Sequence, residues 1–194
     1  MKSHIGLLLL VILISCNNKN DKISVENAPK QMALSKLPNS PAFNQSFSEL
    51  INAYLSLKDN FVQESDSGIV HSAKALIIAS DSLKLNELRA DSNLIFTARS
   101  YSEGISAELV GLLGEKNMLS KRRSFQMVSD QLYDLIRTVQ YNQIILLHAY
   151  CTIAFDDQAA YWICKPQDLK NPYLPKEANP CCEIKDTIRY SPIQ

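Results

Sequence analysis

The chain has 194 residues, of which 46% are hydrophobic and 21% are charged, a composition that is ordinary for one globular domain. Its twenty basic and twenty acidic residues cancel, and removing Lys2 with a signal leaves 19 against 20, a net charge of −1. Nucleic-acid binding needs a concentrated basic face, so we expect no nucleic-acid partner. Five glycines are few for a turn-rich all-β fold or a phosphate-cradling loop.

The N-terminus has the pattern of an export signal. Lys2 and His4 precede the ten-residue apolar run 5–14, which is shorter than the roughly twenty residues that span a bilayer as a helix. Such a run is typical of a secretory signal peptide, here residues 1–15. The end of this segment, Leu-Ile-Ser15-Cys16, resembles the lipobox of bacterial lipoproteins, in which the cysteine is acylated. The alternative is an ordinary signal in which Cys16 is incidental.

Residues 16–42 are rich in Asn, Lys, Ser and Pro and show no sustained periodicity. This composition predicts a disordered tether that holds a domain, residues 43–194, away from a membrane. A lipidated Cys16 would carry two or more acyl chains, which give stable anchoring. By resemblance to known sorting rules, Asn17 after the cysteine favours the outer membrane, facing the periplasm.

Four successive segments carry apolar residues along one helical face. We expect them to begin at the capping box Ser46-x-x-Glu49, at Asp66 or Ser67, near Ser92, and at Ser120. Gly114 is placed to close the third helix in the left-handed conformation. Short connections then predict a mainly α fold, an antiparallel four-helix bundle.

A basic triplet, Lys121-Arg122-Arg123, lies near the start of the fourth predicted helix. It could contact anionic lipid, but three charges are fewer than the usual lipid-binding cluster. We therefore expect a solvated face.

The pattern changes after the fourth helix. The apolar run 144–151 predicts a buried strand, and the run 161–164 predicts a second one. Between them, the residues at 156–158 are turn-like. If that turn is centred after its second Asp, Cys151 and Cys164 would lie opposite each other. Prolines then interrupt the chain, so we expect a short C-terminal β-hairpin in an irregular cysteine-containing layer.

Four cysteines lie in this segment: Cys151, Cys164, Cys181 and Cys182. In an exported domain they are first interpreted as two disulfides, because that compartment is oxidising. A bond between the adjacent Cys181 and Cys182 would be strained, which leaves two connectivities open. The alternative is a metal site formed by these thiolates, with His148 as a further ligand.

Several motifs along the chain form an ordered set. They are Tyr54-Leu55-x-Leu57-Lys58-Asp59, Tyr150-Cys151-x-x-Ala154, Ala160-x-Trp162, Leu169-x-Asn171-Pro172-Tyr173 and Cys181. In order and spacing they resemble DUF3347, a bacterial domain-of-unknown-function family. That family occurs in stand-alone lipoproteins and at the C-terminus of copper/silver efflux membrane-fusion proteins. The resemblance implies a soft-metal site suited to Cu(I), with Cys151 and Cys181 as its core, and metal-efflux components as partners.

The chain departs from the family pattern near the cysteines. Thr152-Ile153 stands where the family has Pro-Met, Ala178 replaces a second Met, Cys164 replaces a Ser, and Cys182 replaces a Gly. Two thioethers are thus lost and two thiols gained. The resemblance favours disulfides Cys151–Cys181 and Cys164–Cys182, since that pairing keeps the family's two cysteines together.

Catalytic motifs do not appear. The chain has no Gly-x-Ser-x-Gly elbow, no His-Glu-x-x-His and no P-loop. We therefore expect a non-catalytic, membrane-tethered envelope lipoprotein that is an accessory in copper or silver handling. The alternatives are a disulfide-stapled structural or protein-interaction lipoprotein without metal and, third, an enzyme.

Overall fold

A computed structural model describes residues 39–155, 158–176 and 181–190. In these ranges the chain forms four helices, then a three-stranded antiparallel sheet. The elements are α1 (Pro41–Val62), α2 (Asp66–Asp81), α3 (Ser92–Gly114), α4 (Met118–Val139), β1 (Leu146–Phe155), β2 (Gln158–Cys164) and β3 (Glu183–Ile188). The predicted signal, Cys16, the tether up to residue 38, the residues at 156–157 and Ala178 lie outside the described residues.

The first helix begins earlier than predicted. Ser40 caps it by accepting a hydrogen bond from the Phe43 N–H at 3.1 Å, and Pro41 occupies the first helical position. The capping box at Ser46 is therefore wrong, because a Ser-Pro pair upstream already supplies a cap and a pre-set φ. The Ser46 hydroxyl instead donates to the Phe43 carbonyl and accepts from the Lys84 N–H. Helix α1 thus includes the last two residues of the predicted tether.

The later helices are capped by residues just before the predicted ones. Ser65 caps α2 through the Gly68 N–H, and Asn117 caps α4 through the Ser120 N–H, so Ser120 is not the first residue of its helix. Helix α3 begins at Ser92 as predicted.

The expected left-handed closure at Gly114 is wrong. Gly114 is the last residue of α3, and the chain leaves through Glu115 in an extended conformation (φ −71°, ψ 136°). Left-handed conformations among the described residues belong instead to Glu64 (φ 53°) and to Gln140 (φ 50°), which ends α4.

The helices share one buried core with the sheet. Each helix packs against the next in sequence. Helices α1 and α4 are also joined by aromatic rings, since Phe125 lies 5.3 Å from Tyr54 and 4.7 Å from Phe61 between ring centroids. The prediction of a mainly helical chain with a small C-terminal β layer is confirmed. No helix in the described ranges is both long and apolar enough to cross a membrane.

Strand β1 lies between β2 and β3. Its register places Leu147 opposite Cys164 and Cys151 opposite Ala160, so the expected pairing of Cys151 with Cys164 is wrong. The register shifts beyond Cys151, because β1 advances four residues to Phe155 while β2 advances two. Pairing of Phe155 with Gln158 is already shifted by two positions from the expected register, and the bulge adds two more. Cys164 therefore lies four strand positions, about 13 Å, from the Ala160 opposite Cys151.

Strand β3 was not predicted. Its sequence, Glu-Ile-Lys-Asp-Thr-Ile, is mostly exposed and has no continuous apolar run. It forms because β1 offers it a free edge, on which Tyr150 pairs with Glu183 and Leu146 pairs with Ile188.

Candidate functional site

The β1 bulge brings two cysteines together. Cys151 is the last residue of β1 in regular register with β2, and Cys181 lies just before β3. Their side chains are hydrogen-bonded to each other. The backbone N–H groups of Thr152 and Ile153, at the start of the bulge, also reach the Cys181 sulfur, and the Thr152 hydroxyl lies 3.9 Å from it. The sulfur of Cys181 is thus surrounded by donors.

The two thiols of this cysteine pair, Cys151 and Cys181, differ in environment. Cys151 is fully buried; burial, and then its hydrogen bond to Cys181, raise its pKa to about 11, although the Ile153 N–H and the Asn171 side chain act in the opposite direction. Cys181 is half-buried, and although burial opposes it, the hydrogen bonds from Cys151, Ile153 and Thr152 lower its pKa below that of an ordinary thiol. The pair therefore combines a sulfur with a raised pKa and a sulfur with a lowered pKa.

Asn171 positions Cys181. Its side-chain amide donates to the Cys181 carbonyl at 2.7 Å, and its side-chain oxygen accepts from the N–H groups of Tyr173 and Leu174. The Tyr173 hydroxyl in turn donates to the Tyr161 carbonyl of β2 at 2.5 Å. The Asn-Pro-Tyr motif thus fixes the loop before Cys181 against the sheet.

Tyr54 on α1 binds the outer edge of β2. Its hydroxyl accepts a hydrogen bond from the Ile163 N–H at 3.0 Å and lies 2.7 Å from the hydroxyl of Ser129 on α4. Burial raises the pKa of Tyr54, so it stays a neutral hydroxyl that can both donate and accept. One side chain therefore connects two helices to the cysteine-bearing sheet.

Lys58, one turn further along α1, is also completely buried. Its ammonium forms ion pairs with Asp168 and, at 2.9 Å, with the more exposed Asp59. Burial opposes ionisation of Asp168, but the hydrogen bond and charge of Lys58 outweigh it and lower its pKa. The loop between β2 and β3 is thereby attached to the first helix.

The basic triplet at 121–123 is not a solvated face. Lys121 is buried and paired with Asp66, and Arg122 pairs with Glu64 at 3.0 Å. The Arg122 Nε also donates to the Pro172 carbonyl at 3.0 Å. The earlier prediction is wrong for these two residues because their partners come from distant parts of the chain.

His148 lies away from the cysteine pair. Side chains alternate along a strand, so His148 and Cys151 project from opposite faces of β1. The His148 ring stacks on Tyr133 with centroids 3.8 Å apart, and neither ring nitrogen has a hydrogen-bond partner among the described residues. Burial lowers its pKa to about 4, despite the opposing charge of Asp186. The structure does not bring His148 to the thiols.

Cys164 and Cys182 do not belong to the cysteine pair. Cys164 is fully buried on β2, where burial raises its pKa to about 12, although Lys58 acts in the opposite direction. Cys182 is half-buried, and burial also raises its pKa. All four cysteines of the described segment are free thiols. No group of three or more His, Cys, Asp or Glu side chains in the described ranges has the arrangement of a metal site.

The sequence prediction missed the bulge N–H donors and the role of Asn171. The role of Asn171 could have been suspected from the sequence, because Asn171 stands in a motif that had been recognised by its spacing. The N–H groups of Thr152 and Ile153 could not have been predicted as donors, because nearly every residue has a backbone N–H. Only the bulge directs them at Cys181.

The fold and site together define a mainly helical domain with a C-terminal, cysteine-bearing sheet. Residues 50–143 match the family model DUF3347, described as a protein of unknown function. The match confirms the resemblance over these residues. The matched range ends before β1, so the cysteine pair lies beyond it. Searches of curated proteins and of solved structures found no match.

Proposed function

We propose that this chain is a non-catalytic lipoprotein of the cell envelope that binds Cu(I) through Cys151 and Cys181, as an accessory in copper or silver handling. One observation carries the proposal: a thiol on β1 and a thiol just before β3 meet at a bulge, and the second of them is half-buried. Soft thiolate ligands select Cu(I) over harder cations. Two thiolates are sufficient ligands for that ion.

The residues around the pair fit such a ligand role. Binding a metal requires loss of the thiol protons, and the donors on Cys181 favour its thiolate. Asn171 holds the Cys181 backbone, as an outer partner of a metal ligand commonly does. Bound Cu(I) would supply a soft, redox-active centre, and the chain's own part is to hold and release it. Neither His148 nor the family's methionines belong to this ligand set.

The rest of the chain would serve as support and anchor. We infer that α1 to α4 form an antiparallel four-helix bundle. Its residues Tyr54 and Lys58 hold the sheet in place, Tyr54 by accepting from Ile163 of β2 and Lys58 by pairing with Asp168 after β2. Cys16 would be the lipid anchor at the end of the tether, in the outer membrane and facing the periplasm. Components of a metal-efflux system are the partners that this placement suits.

Competition against a chromogenic Cu(I) chelator tests the metal role on the reduced protein. We expect Cys151→Ser and Cys181→Ser each to weaken Cu(I) binding at least about tenfold, which is about 1.4 kcal/mol. The matched control is Cys182→Ser, since Cys182 is the neighbouring, similarly half-buried cysteine. It should bind Cu(I) like the unaltered protein.

The main alternative is a structural or interaction lipoprotein without metal. It is favoured by the same contact, because two adjoining thiols in an oxidising compartment can form a structural disulfide. If the reduced protein binds Cu(I) no better than the Cys151→Ser, Cys181→Ser double variant, this alternative replaces the metal role.

Lipidation is tested separately. Cells labelled with a fatty-acid analogue should incorporate the label into the protein, and Cys16→Ser should lose it. A Cys16→Ser protein that remains labelled would refute the anchor.

A further inference from the structure

The cysteine pair has an asymmetry that metal binding does not require. Cys151 is completely buried, whereas Cys181 is half-buried, so Cys181 is the residue of the pair that an external reagent can approach. The inaccessible sulfur nevertheless contacts the accessible one. An accessible attacking thiol with a sheltered second thiol beside it is the arrangement that thiol–disulfide exchange needs.

The bulge adds a second feature. The Thr152 N–H is directed at the Cys181 sulfur, with the Thr152 hydroxyl beside it, and the Ile153 N–H contacts both the Cys181 and the Cys151 sulfur. The attacking sulfur must be a thiolate before it attacks, and the same sulfur becomes a thiolate again when it is the leaving group in the reverse reaction. Backbone donors aimed at that atom stabilise the charge in both directions. Bulges are often found where a strand redirects groups next to a reactive site.

We propose that Cys181 and Cys151 form a reversible thiol–disulfide exchange pair, in which Cys181 is the attacking thiol and Cys151 resolves the mixed disulfide. The substrate class is a disulfide. This activity goes beyond the proposed metal role and does not depend on it. The two exclude each other at any one moment, because a Cys151–Cys181 disulfide has no thiolate to offer a metal.

The exchange balances in two steps. Cys181 loses its proton and attacks one sulfur of the substrate disulfide, whose S–S bond breaks and releases the first thiolate. Cys151 then loses its proton and attacks the Cys181 sulfur of the mixed disulfide, which releases the second thiolate. The two protons pass to the departing thiolates through solvent. Two cysteine thiols are oxidised to one disulfide, and one substrate disulfide is reduced to two thiols.

The other cysteines differ from this pair in ways that make them poor substitutes. Cys164 is completely buried and lies four strand positions from the Ala160 that faces Cys151. Cys182 is half-buried like Cys181, but no hydrogen bond from the bulge to its sulfur is found among the described residues. Cys182 is therefore a matched internal control for exposure without the bulge donors.

Glutathione disulfide is the probe for the test, applied to the full reduced protein. We expect a Cys151–Cys181 disulfide to form, to be found by non-reducing peptide mapping, and to return to thiols in excess reduced glutathione. In Cys151→Ser, glutathione should remain attached to Cys181, at least about tenfold faster than to Cys182. In Cys181→Ser, Cys151 should stay unmodified because it is buried.

Two results would overturn the inference. One is faster glutathione attachment at Cys182 than at Cys181 in Cys151→Ser; the other is failure of the unaltered protein to form the Cys151–Cys181 disulfide. The second result needs no variant, so a misfolded variant cannot obscure it. Reversible exchange without Cu(I) binding would remove only the proposed function. Cu(I) binding without exchange would remove only this inference.

Discussion

The ammonium group of Lys58, buried in the first helix, is ion-paired with Asp168, which follows it by 110 residues. A charge buried without compensation is costly, whereas a paired one is tolerated. The pair joins α1 to the loop that leads through Asn171 to Cys181. It therefore attaches the cysteine-bearing segment to the helices.

Asp168→Asn should destabilise the protein by about 2 kcal/mol, because Lys58 keeps its charge and only the half-exposed Asp59 remains to balance it. In a Lys58→Met background the same change should cost much less. Urea unfolding of the four proteins of this double-mutant cycle measures the difference. Equal costs of Asp168→Asn in both backgrounds would contradict the buried ion pair.

Tyr54→Phe should cost about 1–3 kcal/mol, since it leaves the buried Ile163 N–H without an acceptor. Amide exchange at Ile163 should become faster in the variant. Tyr141→Phe is the matched control, because its hydroxyl bonds the Ser48 hydroxyl and leaves no backbone N–H without an acceptor. Similar losses of stability in both variants would refute a special role for Tyr54.

Acid should destabilise the protein through His148. Its folded pKa, about 4, lies below the unfolded value of 6.5, so the unfolded chain binds an extra proton between those pH values. Stability should fall as the pH decreases from 6.5 to 4, by up to about 3 kcal/mol. His148→Phe retains a ring against Tyr133 but cannot titrate, and it should lose this part of the pH dependence in urea unfolding.

Asp130 should make the folded protein less stable as the pH rises, which is opposite to the effect of His148. Burial, and then the charge of Asp134, raise its folded pKa to about 6, so the folded state binds the extra proton between about pH 4 and 6. Stability from this group is present at low pH and is lost as the pH rises through 6. Asp130→Asn should therefore stabilise the protein at pH 7.5 by about 1 kcal/mol, after allowance for solvent screening. It should give no gain at pH 4, and a gain independent of pH would contradict this reasoning.

Local patterns explain how much of the fold was predictable. Apolar residues repeat along one face of each helix, and the four helices were found from that spacing alone. Their starts were less certain, because Ser46 and Ser120 had the chemistry of caps but Ser40 and Asn117 lay upstream. A cap is chosen by competition between neighbouring candidates, which the spacing of apolar residues does not decide.

The sheet shows where local patterns become insufficient. Two strands were recognised by their apolar runs, but β3 is exposed and polar and exists through its pairing with β1. The hairpin register and the β1 bulge together place Cys164 away from Cys151, and register depends on pairing as well as on residue type. The resemblance noted in the sequence drew attention to Cys181 without showing how its sulfur is surrounded.

By itself, then, the sequence determined the helical faces, the two apolar strands and the resemblance to a family, since each is encoded by residue type at short spacing. Tertiary structure alone decided which distant groups meet: Lys58 with Asp168, Tyr54 with Ile163, and Cys151 with Cys181. It also turned His148 away from the thiols, because neighbouring faces of one strand pack against different partners. The physical reason is that burial, hydrogen bonding and pKa belong to the environment of a side chain, which the chain forms only when it folds.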